Sequence, residues 1–323
     1  MQLAGVGTVD GSRRTGDRLS PEWYLPGWVP EPVRRHAGTP DMLPVGSPGK
    51  VGILDLAFER IGDRTELTGH YQKAPLHITR PLYRDPEVPG LPYVMIMSSG
   101  GGVLQGDRYR VDVSCGPGAA VHLTTQGATR LYRMEQDYAT QLVRLAVGPG
   151  GHLEYLPDRT IPFGGTRYYQ RIDVTAHPDS TVVLGETLLA GRLARGERHA
   201  YTAYCGDVEV RDTAGRLLFA DPLRLVPGER AVTGPAVMDR YGVLASLYVV
   251  TGVRPARVLA DAMHEVLTRT GSRAGAGVLP GERGAWARVL GERSPEVEAA
   301  FGQALDAVRG LLPGASAPAP RGR

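Results

Sequence analysis

A weak internal repeat in the middle of the chain is the feature that most restricts its fold. Each unit has one strand of alternating apolar residues, a turn, and a second alternating strand. The copies are VDVSCGPGAAVHLTT from Val111, VRLAVGPGGHLEYLP from Val143, IDVTAHPDSTVVLGE from Ile172 and a poorer VEVRDTAGRLLFADP from Val208. A lone two-stranded unit buries too little apolar surface to be stable, whereas stacked units bury a continuous core. The repeat therefore predicts a mainly β fold: a layered, solenoid-like (β-helical) stack of short strands.

The spacing of the units leaves one alternative fold open. The units start at unequal intervals along the chain, whereas strict solenoids keep a constant period. A β-sandwich whose hairpins merely resemble one another would show the same pattern.

About two α-helices are predicted near the C-terminus, where the period of the apolar residues changes. PARVLADAMHEVLTRT places Leu259 and Met263 on one helical face. SPEVEAAFGQALDAVRGLL begins with Ser294 as the expected N-cap and Pro295 in the first turn. We expect both helices to pack on the β body, unless one serves as a docking face for a partner.

The composition divides the chain into three parts. Residues 1–48 carry many Gly, Pro and Arg without periodicity and predict a flexible N-terminal arm. Its aromatic residues, Trp23 and Trp28 among them, either dock on a partner or pack back on the protein's own surface. Residues 49–312 are expected to form a single β domain with the C-terminal helices, and residues 313–323 a disordered tail.

Charge, hydropathy and cysteine content narrow the possible partners and the cellular location of the chain. The net charge of +3 is spread along the chain, which argues against nucleic acid as a partner. No stretch is apolar over the length that a membrane span needs, and the N-terminus lacks the apolar core of a signal peptide. Cys115 and Cys205 form no CxxC motif and are expected to stay reduced, which predicts a cytoplasmic protein.

Motifs for catalysis are incomplete. SSGGGVLQGD, at residues 98–107, lacks the GK[ST] ending of a phosphate loop, and the chain has no GxSxG. We therefore expect the glycines of residues 98–107 to support a tight turn or a close backbone contact. We also expect that the chain is not an enzyme. His122 and His152 hold similar positions in two repeats, so they are either a stacked metal pair or ordinary strand histidines.

A carboxylate pair is the remaining route to catalysis. Glu154, Asp158 and Glu186 could supply an acid and a base, as in β-helical carbohydrate-active enzymes. The aromatic content of 7% is low for a sugar-binding groove. This enzyme class stays the alternative function.

Four blocks of sequence, in this order, resemble the UreD family of urease accessory proteins, also called UreH. They are GGVLQGD at 101–107, LTTQGATRLYR at 123–133, LEYLPDRTIPFGG at 153–165 and GETLLAGRLARGE at 185–197. The resemblance covers roughly residues 50–230. Arg195 stands where family members often have Ser, which leaves any role of that Ser in doubt.

The resemblance implies a mostly β fold and a urease maturation chaperone. Its expected role is a scaffold in a complex with UreF and the GTPase UreG that meets apo-urease and assists GTP-dependent nickel insertion. GTP hydrolysis would belong to UreG. No tightly bound cofactor is implied, and nickel would be in transit.

The resemblance also suggests acidic residues along an internal nickel route. By position in the family's motifs these are Asp107, Glu186 and Asp221. Carboxylates and carbonyls release Ni²⁺ more readily than a His/Cys cage would. The alternative is that these carboxylates cap turns or pair with Arg192.

Overall fold

The computed structural model describes residues 17–38, 50–85 and 88–312. It contains eighteen strands, four α-helices and three 3-10 helices within these ranges. The strands are β1 Val51–Ile61, β2 Arg64–Lys73, β3 Leu76–Ile78, β4 Leu82–Tyr83, β5 Pro92–Ser98, β6 Arg108–Cys115, β7 Ala120–Thr125, β8 Thr129–Leu131, β9 Ala139–Val147, β10 His152–Tyr155, β11 Thr160–Pro162, β12 Arg167–Ala176, β13 Thr181–Leu189, β14 Ala203–Asp212, β15 Leu217–Leu225, β16 Val243–Thr251, β17 Arg273–Val278 and β18 Gly284–Gly291. The α-helices are α1 Pro21–Tyr24, α2 Glu31–Arg34, α3 Ala256–Leu267 and α4 Ser294–Arg309, and the 3-10 helices are Asp17–Leu19, Leu193–Arg195 and Pro280–Glu282.

Two sheets face each other across the core. Sheet A has the strand order β15-β14-β12-β9-β6-β1-β2, and sheet B follows β17-β18-β16-β13-β10-β7-β5-β3 with β4, β8 and β11 attached. The chain passes from a strand of sheet A to one of sheet B and back, so that strands of successive coils lie parallel in each sheet. This architecture is a β-solenoid of about four turns.

The repeat in the sequence matches the register of sheet A. Val111 pairs with Val143, Val143 with Ile172, and Ile172 with Val208, which are the first residues of the four aligned copies. Their side chains point into the core and are buried. The predicted mainly β solenoid is confirmed.

The fourth copy departs from the other three. In the first three copies the two strands belong to different sheets, whereas β14 and β15 form an antiparallel hairpin within sheet A. This hairpin gives sheet A its final strand and ends the stacking of coils there. The poorer match of this copy in sequence therefore accompanies a real change of topology.

Turns between the sheets depend on glycine at equivalent places. Gly118 and Gly150 both have φ near +64°, a conformation that residues with a Cβ rarely adopt. The two turns stack, and the amide of Gly118 donates to the carbonyl of Pro149 at 2.9 Å. The Gly-Pro-Gly motif thus sets the pitch between two coils.

Helices α3 and α4 cover the outer face of sheet B. Their apolar stripes pack on β16 and β18, and Leu259, Met263 and Val297 are buried there. Both predicted helices are confirmed, but the predicted N-cap is wrong by one residue. Ser294 is the first helical residue, and Arg293, whose backbone is extended, takes the N-cap position. Among the described helices, none combines the length and apolar character needed to cross a bilayer.

Residues 17–38 pack on the outer face of sheet A. Val33 of α2 is buried beside Tyr169 and Cys205, and the guanidinium carbon of Arg110 lies 3.6 Å from the ring centroid of Trp23. This part of the predicted arm therefore contacts the protein's own surface. The other residues of the predicted arm, 1–16 and 39–48, and the predicted tail at 313–323 lie outside the described residues. The division into arm, domain and tail therefore stays a prediction.

Candidate functional site

A polar chamber lies between the inner faces of the two sheets, toward the β15 and β18 side. The space open to water-sized molecules is about 50 Å³, and one water needs about 10–15 Å³ by this measure. The chamber thus has room for a few waters or one partly hydrated ion. Its polar lining includes Thr125, Thr129, Gln141, Tyr155, Asp158, Thr160, Gln170, Glu186, Tyr204, Asp221, Ser246, Tyr248 and Arg288.

Glu186 is the innermost charge of the chamber. It lies on β13 between Leu184 and Leu188, whose side chains point the same way into the core. Glu186 is half-buried and lines the cavity. The side-chain amide of Gln170 donates to its Oε1 at 2.6 Å.

Burial is the main reason why the pKa of Glu186 rises to about 7. The negative charge of Asp221 raises it further, while Arg288 and the hydrogen bond from Gln170 act in the opposite direction. Glu186 therefore exists in both protonation states near neutral pH. A carboxyl group with such a pKa can exchange a proton for a cation at little cost.

Asp221 lies on β15 at the more open end of the chamber. Its Oδ2 accepts a hydrogen bond from the hydroxyl of Tyr248 and forms an ion pair with the guanidinium of Arg288. The Nε of Arg288 also donates to the hydroxyl of Ser246 at 3.2 Å. Asp221 of β15 is thus held by side chains of two other strands, β16 and β18.

Three tyrosines, Tyr155, Tyr204 and Tyr248, form much of the remaining wall of the chamber. Burial raises the pKa of each phenol above its ordinary value, so all three stay neutral over the physiological range. Neutral hydroxyls offer oxygen donors without adding charge.

Asp107 does not line the chamber. Its carboxylate accepts hydrogen bonds from the backbone amides of Lys50 and Leu104 at 2.9 and 3.0 Å and from the hydroxyl of Tyr109 at 2.9 Å. It is buried where the Gly-rich loop enters β6. This agrees with the alternative that the sequence left open, in which the carboxylate caps a turn.

Two expectations about the other carboxylates are wrong. Glu186 and Asp221 lie within strands and cap no turn. Arg192 pairs with Glu197, whose Oε1 also accepts the amide of Gly164 at 2.8 Å. The reason is local, because Arg192 and Glu197 bracket the same short 3-10 turn.

The suggested histidine pair is also organised differently. His122 and His152 do not face each other across a metal position, since each contacts a different oxygen of Glu154, at 2.7 and 3.2 Å. Glu154 points out of sheet B toward α4, whereas Glu186 points into the chamber, so these two cannot form a catalytic pair. Within the described ranges, no group of three or more His, Cys, Asp or Glu is placed to hold a metal ion.

Both cysteines are buried free thiols. Burial raises the pKa of Cys115 and of Cys205 to about 12. A protonated thiol is a poor nucleophile and a poor metal ligand. The chamber therefore offers oxygen donors and contains no thiolate.

Sequence reasoning missed Gln170, Tyr248 and Arg288 as parts of the site. One signal was available, because Gln141 and Gln170 stand two residues before the aligned Val143 and Ile172. They are therefore polar at an inward position of two successive repeats. The contribution of β16 and β18 had no such signal, since these strands lie outside the repeat.

The blocks that carried the family resemblance converge along one side of the solenoid. The amide of Val103 donates to the carbonyl of Arg130 at 2.7 Å, and the amide of Phe163 donates to the carbonyl of Leu131 at 2.9 Å. A Cβ on Gly102 would lie 2.5 Å from the Arg130 carbonyl oxygen. The Gly run thus allows a close backbone contact, as predicted.

Comparison with known proteins decides the family. The model of the UreD urease accessory protein family matches residues 50–323. The chain belongs to the UreD family. A Streptomyces griseus protein named urease accessory protein UreD 2 is 54% identical over 284 residues, which cover 87% of this chain and 97% of that protein. UreD of Haloarcula marismortui is 40% identical, with 86% and 92% of the two chains covered. UreD of Cenarchaeum symbiosum is 35% identical, with 85% and 97% covered.

Membership of the UreD family assigns the chain to urease maturation. The description as an accessory protein is consistent with a non-catalytic role. It favours this role over the carbohydrate-active enzyme that the sequence left as an alternative.

Proposed function

We propose that this UreD-family chain is a cytoplasmic maturation chaperone whose chamber passes nickel toward urease. It would act as the scaffold subunit of a UreD–UreF–UreG complex on apo-urease, with GTP hydrolysis supplied by UreG. The observation that supports a conduit is the presence of Glu186 and Asp221 in the lining of one cavity between the two sheets. The partners come from the family resemblance.

The donor set of the chamber suits transfer better than storage. Carboxylate, amide and hydroxyl oxygens bind Ni²⁺ more weakly than imidazole or thiolate does. A conduit has to bind an ion well enough to admit it and weakly enough to release it. Glu186 meets both demands, because proton exchange near neutral pH can accompany entry and exit of the cation.

The proposal narrows the route that the family motifs suggested. Asp107 is engaged by three hydrogen-bond donors outside the chamber. Asp158 lines the chamber near Thr125 and Thr160. We therefore place the route through Asp158, Glu186 and Asp221, and assign Asp107 to the stability of the Gly-rich loop.

Urease activation in cells tests the conduit. We expect Glu186→Gln, co-expressed with urease and its other accessory proteins, to lower the nickel content and activity of urease severalfold. Glu186→Gln keeps the volume and the hydrogen bond to Gln170 but removes the charge. Glu209→Gln is the matched control, since Glu209 lies on the outer face of sheet A and pairs there with Arg171 and Arg211.

Assembly has to be measured beside activation. Pull-down with UreF should be unchanged for Glu186→Gln, because the residue lines the chamber on the inner face of sheet B. Wild-type nickel content in urease activated by this variant would contradict the conduit and leave a purely structural scaffold. Loss of the UreF complex would show that the variant acts through folding.

A further inference from the structure

An ion pair between the two sheets closes the lateral side of the chamber. Asp221 lies on β15, the edge strand of sheet A, and Arg288 lies on β18, one strand from the edge of sheet B. Their side chains are 26% and 40% exposed. The pair therefore stands between solvent and the interior of the chamber.

The strand register aligns Arg288 with Glu186. Glu186 pairs with Ser246 across β13 and β16, and Ser246 pairs with Arg288 across β16 and β18. Adjacent strands are about 4.8 Å apart, so the two backbones are separated by about 10 Å, which a long arginine side chain can span. The Nε of Arg288 donates to Ser246, which holds the side chain across the inner face.

Arg288 is the sole Lys or Arg among the residues that line the chamber, all of which are described. It therefore provides the positive charge beside Glu186 and Asp221. A divalent cation between these carboxylates would compete with the guanidinium for oxygen ligands, and the positive charge of the guanidinium would repel it. The side chain is long and already 40% exposed, so it can leave without unpacking the core.

We propose that Arg288 gates the chamber: its guanidinium occupies the cation position beside Asp221 and has to swing out before a divalent metal ion can bind. This inference rests on the proposed conduit. In the closed state Arg288 neutralises the carboxylates and keeps adventitious cations out. Contact with a partner that attracts the exposed guanidinium would open the site.

Direct metal binding to the full-length purified chain tests the gate. Ni²⁺ titration by calorimetry is compared for the wild type, Arg288→Met and Arg288→Lys. We expect Arg288→Met to bind Ni²⁺ about tenfold or more tightly than the wild type, because the repelling charge is gone. Arg288→Lys keeps a cation and should stay near the wild type.

Two further variants separate the gate from a general effect of arginine loss. Arg224 lies on β15, the strand that carries Asp221, but it pairs with Asp207 on the outer face of sheet A. Arg224→Met should therefore bind Ni²⁺ like the wild type. Adding Glu186→Gln to Arg288→Met should abolish the gain. Circular dichroism checks folding, and Arg288→Gln, which can keep the bond to Ser246, replaces Arg288→Met if that variant is unfolded.

Equal Ni²⁺ affinity in the wild type and in the folded charge-removing variant overturns the gate. If Glu186→Gln still lowers nickel delivery in cells, the conduit stands without a gate at Arg288. If Glu186→Gln has no effect there either, the proposed function fails as well.

Discussion

At the scale of the residue, Glu186 places a carboxyl group at an inward-facing position of strand β13. The alternation of β13 turns its side chain inward, where burial and Asp221 raise its pKa and Gln170 and Arg288 limit the rise. Asp107, which is buried, accepts hydrogen bonds from three donors, two of which are backbone amides, and so stabilises the local backbone. The structural role of Asp107 and the proposed role of Glu186 in nickel transfer therefore differ because of the groups that surround each carboxylate.

The raised pKa of Glu186 predicts how stability depends on pH. Between about 4.5 and about 7 the folded chain keeps a proton that the unfolded chain has released, so its free energy of unfolding falls as pH rises. Gln cannot titrate. Glu186→Gln should therefore gain stability relative to the wild type across this window, on the order of 3 kcal/mol in all.

Urea unfolding of both proteins below and above this window measures the difference. Glu209→Gln, on the outer face, should follow the wild type at each pH. Parallel pH profiles for the wild type and Glu186→Gln would contradict the assignment of this pKa to Glu186.

At the scale of the element, a buried charge cluster fastens the end of α4 to the solenoid. The Nε of Arg309 donates to Oε1 of Glu154 at 2.9 Å, and His122, stacked on Tyr93 at 4.7 Å between centroids, contacts the other oxygen. Burial alone would raise the pKa of Glu154, but hydrogen bonds from both histidines and the charge of Arg309 hold it well below its usual value. The two histidines and Arg309 thus compensate the negative charge of Glu154, which lies on the outer face of sheet B.

Removal of one partner from this cluster should be costly. Arg309→Ala leaves Glu154 buried without its cation, and we expect the free energy of unfolding to fall by about 3–5 kcal/mol. Replacing both charges, as in Glu154→Leu with Arg309→Met, should recover most of the loss. Arg293→Ala, exposed at the start of α4, should change stability by about 0.5 kcal/mol or less. Similar losses in the single and double variants would show that packing of α4, not the charge pair, sets the stability.

At the scale of the whole molecule, the solenoid is closed by parts that do not repeat. The hairpin β14–β15 ends sheet A, β16 to β18 extend sheet B in antiparallel order, and residues 17–38 cover the outer face of sheet A. The chamber forms where repeating and non-repeating parts meet. Glu186 lies on β13, a strand of the repeating solenoid, whereas Arg288 lies on β18, a strand outside the repeat.

The cover formed by residues 17–38 can be tested through Cys205. Val33→Asp places a charge against the buried surface around Tyr169 and Cys205 and should detach α2. Cys205 then becomes accessible, its pKa returns toward the ordinary thiol value, and it should react with a thiol reagent that does not label the wild type. Peptide mass analysis identifies the labelled cysteine.

Val258→Asp is the control, because Val258 is 45% exposed on α3. It should leave both cysteines unlabelled. Labelling of Cys115 together with Cys205 in Val33→Asp would indicate global unfolding and contradict a local cover.

The sequence predicted the solenoid because each coil repeats the same inward residues at the same phase, and the register of sheet A follows the same alignment. Val111, Val143, Ile172 and Val208 align in the sequence as they pair in sheet A. The two amphipathic helices were also predictable, since their apolar stripes have a helical period. The family followed from the four blocks around the Gly-rich loop, and the comparisons confirm it.

By itself the sequence determined the local patterns: the strand phase, the turns at Gly118 and Gly150, and the faces of α3 and α4. The tertiary structure alone decided which charges meet. Asp221 and Arg288 are far apart in the chain and become partners only because sheet A and sheet B end beside each other. Periodicity specifies the direction of a side chain from its own strand, whereas an ion pair depends on the distance between strands that the fold brings together.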